Sequence, residues 1–253
     1  MASKQQQEHT SDFQQKEGGR GDQDAKSLGL GEKCWRALME VSMARSRKIR
    51  GSNYVQLATV DTQTNEPRCR TVVFRGFQKF PDDHLLAKPN TLNGMSTVMK
   101  ICTNAQSKKV SESTSAELVW WFPKSNEQYR VRGELLYVGG GSFPKDDDAF
   151  LQQARRELWG NLSDPARESF LSSTVPGEPV SNQQKQQQTT TNDIPAGGRD
   201  PETGKPVPVP DTFLLVLLFP RQSDCLNLSH NYRQIDKIVE DAEGKWSFET
   251  VHA

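Results

Sequence analysis

Between residues 54 and 138 the apolar side chains of this chain recur at every second position in short runs broken by turn-forming residues. That spacing suits half-buried strands and leaves no room for long helices. Tyr54 to Val60 and Arg68 to Phe77 are joined by the polar, turn-rich Asp61-Thr62-Gln63-Thr64-Asn65-Glu66-Pro67, which reads as an antiparallel hairpin. Further strands are expected at about 97–103, 116–122, 128–138, 212–219, 223–229, 234–240 and 245–251, the last two linked through Asp241-Ala242-Glu243-Gly244. Helical spacing is confined to three places. Over residues 31–48, Cys34, Leu38, Met39, Val41, Ser42 and Met43 share a face, and Arg45, Arg47, Lys48 and Arg50 gather where a helix dipole favours cations. Asp146 to Trp159, behind Pro144, begins with an acidic first turn, and Leu162 to Leu171 forms a shorter helix. The expected fold is mainly β (α+β): a largely antiparallel barrel with a few peripheral helices.

Two stretches carry almost nothing to bury. Residues 1–30 are Gln, Lys, Glu, Gly, Asp and Ser, and residues 176–210 run through a Gln/Thr tract to a Pro-rich end. Both read as disordered, the second as a long insertion for which a partner-binding role stays open. What remains is one domain over 31–253. The chain balances 32 basic against 32 acidic residues, so no global field argues for nucleic acid or an anionic membrane, and any basic site must be local. Phe213 to Phe219 is far shorter than the about 20 residues that span a bilayer, and the N-terminus lacks the apolar region of a secretory signal. Cys34, Cys69, Cys102 and Cys225 are scattered with no CxxC pair, which suits reduced thiols in a cytoplasmic protein. His230 and His252 stand alone at no ligand spacing, so no metal is expected.

Three segments place basic and amide side chains beside strands. Arg70-Thr71-Val72-Val73-Phe74-Arg75 is a β-branched and aromatic run with a guanidinium at each end. Ile101 to Lys109 carries a strand into a polar turn, with a helix expected to begin near Ser107, where a hydroxyl and two lysines suit a phosphate. Glu127-Gln128-Tyr129-Arg130-Val131-Arg132-Gly133 alternates, and Gln128 offers both a donor and an acceptor. Each has a plainer explanation: charge alternating on a strand marks its wet face, and Ser-Lys-Lys makes an exposed turn. Ideal alternation also sends Arg70 and Arg75 to opposite faces. Of the adjacent rings Trp120-Trp121-Phe122, alternation leaves one exposed and buries the others.

In order and spacing, the three segments resemble the signatures of the pyridoxamine 5'-phosphate oxidase-like family of FMN-binding split β-barrels: R-x-V-L-L-K, then Y-T-N-x-x-S-R-K, then R-Q-V-R-x-x-G. The resemblance covers about 32–138 well and 212–253 loosely. It implies that Arg70, Lys108 and Lys109 neutralise the FMN phosphate with help from Ser107 or Thr103. Thr71, Val72, Val73 and Phe74 would line the flavin, with Cys102 beside the phosphate and Gln128 on the flavin's polar edge. It further implies a homodimer with FMN at the interface, and a flavin that takes a hydride from a small-molecule substrate and is reoxidised by dioxygen. Catalytic residues stay unassigned, since that scheme needs no general base.

The chain departs from the family pattern at three points. Arg75 replaces the family's lysine, shared between the cofactor and the substrate phosphate, and is a candidate for both cofactor and substrate binding. Cys102 replaces an aromatic residue; a low-pKa thiol and an inert buried one are both open there. Phe219 to Ser229 holds neither the tryptophan segment nor the R-L-H triplet of the true oxidases. The expected function is therefore an FMN-dependent oxidoreductase, a flavoprotein possessing or lacking activity on pyridoxamine or pyridoxine 5'-phosphate. A non-catalytic FMN protein serving in storage or sensing is the alternative, and a ligand-free scaffold the plainest one.

Overall fold

The computed structural model describes residues 28–140, 148–172, 176–177, 194–239 and 244–253. Helix α1 (Trp35–Ser46) is followed by strands β1 (Tyr54–Val60), β2 (Pro67–Val73), β3 (Thr91–Leu92), β4 (Met95–Ser96), β5 (Met99–Asn104), β6 (Ser115–Phe122) and β7 (Glu127–Val138). Helices α2 (Ala149–Gly160) and α3 (Asp164–Leu171) come next, then strands β8 (Phe213–Asn227), β9 (Tyr232–Ile238) and β10 (Trp246–Val251). The main sheet is antiparallel in the order β10-β9-β8-β7-β6-β1-β2, and β5 pairs with β8 off that path. The named strands do not close into a barrel. Main-chain hydrogen bonds from the segment after β2 span the gap to β5: Arg75 N to Lys100 O, Lys100 N to Gly76 O and Gln78 N to Val98 O, each 2.8 Å.

The inner face of this curved sheet holds the main core. Val55, Leu57, Val72, Phe74, Ile101, Leu118, Trp120, Phe122, Tyr129 and Val131 meet there, and α1 covers it with Trp35, Leu38 and Met39. No side chain of its own caps α1; Asp236 of β9 accepts from Trp35 N at 3.1 Å instead. A second core lies on the other face of β8, where Phe213, Leu215 and Leu217 pack on Leu151, Ala154, Leu158 and Trp159 of α2. The continuous run Phe213 to Leu218 is thus buried on both faces, which is why it reads as unbroken apolar sequence.

Several expectations need correction. The strands expected at 212–219 and 223–229 are one, because Pro220 sits at a bulge where the register shifts between Arg132 and Gly133 and the ladder continues past it. Arg221 is the extra residue of that bulge. Residues 194–210 are not disordered. They lack apolar periodicity but are held through their own backbone: Arg167 Nε donates to Gly197 O at 3.0 Å, Trp159 Nε1 to Val207 O at 2.8 Å and Arg155 Nη2 to Pro210 O at 2.7 Å. The helix expected from Ser107 is only a 3-10 turn, Lys108–Val110. The short β3–β4 hairpin was not expected, although its Asn93-Gly94 turn, with φ of 50° and 74°, is a sequence-readable signal. Residues 1–27 and 178–193, and three residues of the turn read at 241–244, lie outside the described residues. None of the described helices is long and apolar enough to cross a bilayer.

Candidate functional site

The two sites of cationic charge singled out in the sequence, β2 and the turn after β5, meet at one end of the inner sheet. Arg70 pairs with Leu57 on β1 and, like Val72 and Phe74, points to the core side, where its Nη1 reaches Thr59 Oγ1 and Leu57 O. Its Nη2 lies 2.6 Å from Glu112 Oε2, an ion pair whose carboxylate is buried and also accepts from the Thr59 hydroxyl. Across from it, Lys109 Nζ donates to Thr103 Oγ1 at 2.8 Å and to Ser107 Oγ at 2.5 Å. Tyr137 fixes the turn by donating to Lys109 O at 2.9 Å. Burial first, and then the nearby Arg70 guanidinium, push the Lys109 ammonium below its usual range, partly offset by Glu112. Tyr137 is pushed up to about 12, by burial and then by Glu112.

Arg75 takes the other face, as alternation requires. Its guanidinium stands beside the Cys102 thiol, and its Nε is buried with no acceptor among the described residues. Burial raises the Cys102 thiol, and Arg75 and Lys109 only partly counter it, which makes the inert thiol the better description. Lys108 is exposed on the turn. Val72 and Phe74 are 8% and 5% exposed, so their side chains belong to the core and only their backbone could face a ligand. Thr71 and Val73 face outward. Among the three rings, Trp121 is 40% exposed while Trp120 and Phe122 are buried, as expected.

Gln128 is not brought to this cluster. It lies on the outer face of β7, between Trp121 of β6 and Leu226 of β8. Arg70 is three strands away on the opposite face, a separation of roughly 17 Å at sheet spacings of about 4.8 Å between strands and 3.4 Å along them. A cleft of about 750 Å³ opens elsewhere, at the bulge, between Pro89, Arg132, Phe219, Pro220, Arg221 and Lys237. It shares no residue with the Arg70–Lys109 cluster. The residue that sequence reasoning missed is Glu112: an acidic side chain in a Ser/Thr-rich loop carries no pattern that would mark it as the partner of Arg70.

A hydroxyl pair, an ammonium and a guanidinium converging on one half-buried spot form a donor set suited to a phosphate monoester. The orphaned Arg75 Nε on the adjoining face calls for another acceptor. The comparisons agree with that chemistry. Residues 32–139 match the family model described as pyridoxamine 5'-phosphate oxidase, FMN-binding domain. The chain belongs to this family, and its cofactor is FMN. It is 30% identical over 223 residues to pyridoxine/pyridoxamine 5'-phosphate oxidase 2 of Arabidopsis thaliana, covering 86% of this chain and 96% of that one. Among solved structures, a pyridoxamine 5'-phosphate oxidase-related FMN-binding protein from Nostoc punctiforme superposes with a TM-score of 0.65 at 28% identity, covering 87% of this chain and 98% of its own. PhzG from Burkholderia lata, solved with tetrahydrophenazine-1-carboxylic acid, gives 0.60 at 13% identity over 85% and 91% of the two chains, a likeness of fold.

Proposed function

We propose that this protein is an FMN-dependent oxidoreductase acting on an anionic small molecule, with pyridoxamine or pyridoxine 5'-phosphate as the candidate substrate. The observation that carries the reading is the convergence of Arg70, Thr103, Ser107 and Lys109 at one end of the sheet, with Arg75 on the adjoining face. Arg70, Thr103, Ser107 and Lys109 bind the phosphate of the cofactor, and Arg75 is left for the substrate's anion. Bound FMN supplies hydride acceptance; the chain's own groups bind and orient. The name of the Arabidopsis relative supports the vitamin B6 substrate.

The protein works as a homodimer in the cytoplasm. Support for the dimer is the distance between Gln128 and the phosphate cluster: both can serve one flavin only if Gln128 comes from a second copy. Tyr54 and Trp121, 54% and 40% exposed on the same outer face as Gln128, supply apolar surface for that contact. Four free cysteines suit a reducing compartment. A second reading, an FMN protein with no vitamin B6 turnover, is favoured by Phe219 to Ser229, which carries the later part of strand β8 into a short turn without the R-L-H triplet. Purified protein is expected to show flavin absorption bands, to release FMN on denaturation, and to form hydrogen peroxide with pyridoxamine 5'-phosphate. Colourless protein that takes up no added FMN refutes both readings; bound FMN without peroxide leaves the second.

A further inference from the structure

Arg70 meets its anion before any ligand arrives. Its Nη2 is 2.6 Å from Glu112 Oε2, and the Glu112 side chain is only 7% exposed. Thr59 closes a triangle, donating to the same carboxylate oxygen and accepting from Arg70 Nη1. The groups facing this spot come from five elements: Thr59 of β1, Arg70 of β2, Thr103 of β5, Lys109 of the turn and Tyr137 of β7. Among the described residues, Glu112 is the one carboxylate in ion-pair contact with Arg70, Arg75 or Lys109. A phosphate at this end of the sheet must therefore share Arg70 with a buried negative charge, and the net positive charge there is that of Lys109.

We propose that Glu112 is a positioning and specificity-determining residue of the flavin-phosphate site: it holds Arg70 in place while the flavin is absent and moderates the affinity for the phosphate. The inference rests on the FMN reading above. Its logic is a thermodynamic cycle. Removing the carboxylate leaves Arg70 half-buried with Thr59 and Leu57 as acceptors but no counter-charge in the flavin-free protein, which lowers stability. A bound phosphate restores an anion to that guanidinium, so the loss in the free state reappears as tighter binding. Riboflavin has no phosphate and restores nothing.

The test is a titration of FMN and of riboflavin into the full chain, wild type and Glu112→Gln, followed by quenching of flavin fluorescence. Glutamine keeps an acceptor for Arg70 and removes the charge. Glu112→Gln is expected to bind FMN about tenfold tighter, the effect of roughly one unit charge a few ångströms from the phosphate at an intermediate dielectric. Riboflavin affinity is expected to change less than about twofold, so the FMN-to-riboflavin preference rises, a ratio that a merely structural role would leave alone. Should Glu112→Gln not fold, the double variant Arg70→Gln/Glu112→Gln, which leaves no orphaned charge, carries the test against Arg70→Gln. It is expected to bind FMN at least about tenfold tighter than Arg70→Gln, which leaves the carboxylate unpaired beside the phosphate. Unchanged or weaker FMN binding by Glu112→Gln, a parallel change for both flavins, or, in the fallback pair, no gain in FMN affinity over Arg70→Gln overturns the role of Glu112. Wild-type protein that binds neither flavin overturns the FMN reading itself, and does so before any substitution is made.

Discussion

Asp236 makes the stability of this fold depend on pH in a direction opposite to that of Asp61, Asp164, Asp200 and Asp224. It is 1% exposed, accepts from Trp35 N at 3.1 Å and from Gln234 Nε2 at 2.9 Å, and so ties the start of α1 to β9. Those donors favour the carboxylate, but burial outweighs them and pushes the group up from 3.8 to about 6. Between these values the folded chain holds a proton that the unfolded chain has released. The contribution of Asp236 is therefore most favourable below 3.8 and is lost as pH rises through about 6. About two units at about 1.4 kcal/mol each give a loss of about 3 kcal/mol by pH 7. Asp236→Asn keeps an acceptor for Trp35 N and cannot ionise. Urea unfolding followed by tryptophan fluorescence, at pH values from about 4 to 7, gives the difference in unfolding free energy between variant and wild type. Asp61, Asp164, Asp200 and Asp224, all held below the usual carboxylate range, act in the opposite sense and cancel in that difference. The difference is expected to shift in favour of the variant by about 2 kcal/mol over this range, since at pH 4 part of the effect is already spent. A difference that stays flat, or moves against the variant, refutes burial as the dominant influence on Asp236.

Two more substitutions test the site and the sheet. Lys109→Met removes the net positive charge beside Thr103 and Ser107, and is expected to weaken FMN at least tenfold, about 1.4 kcal/mol, while riboflavin is less affected; equal losses for both flavins would place the phosphate elsewhere. Gly133→Ala would put a Cβ 2.0 Å from Phe219 O and 2.7 Å from Phe219 C, both backbone atoms at the bulge. It is expected to lower stability by about 3 kcal/mol, read as a fall in melting temperature on the order of 10 °C, and an unchanged melting temperature would show that the bulge can yield.

Alternation made much of the inner sheet readable in advance. β1, β6 and β7 each show a buried side chain at every second position, β2 turns Val72 inward, and the same parity rule separates Arg70 from Arg75 and exposes Trp121 between two buried rings. β8 was misread for a physical reason: proline usually ends a strand, and here a bulge absorbs it. Residues 194–210 were misread because their anchors are donors on α2 and α3 aimed at backbone carbonyls, and a carbonyl has no letter in the sequence. Glu112 was invisible because nothing local ties it to Arg70, which lies 42 residues earlier. The motif residues name the ligand chemistry; the counter-charge that tunes it emerges only once the chain has folded.

Strand β8 also imposes an order on the life of the molecule. It is hydrogen-bonded to β5, β7 and β9 along different parts of its length, and the β5 ladder joins Asn104 to Phe213. At a synthesis rate of about 5–20 residues per second, β5 leaves the ribosome some 5–20 s before its partner exists. During that interval the apolar edges of β5 and β7 face water with only β6 and a few bonds from the segment after β2 to satisfy them. Nascent chains of this protein thus pass through an obligatory period of open, adhesive sheet edges, ended when β8 slots between them.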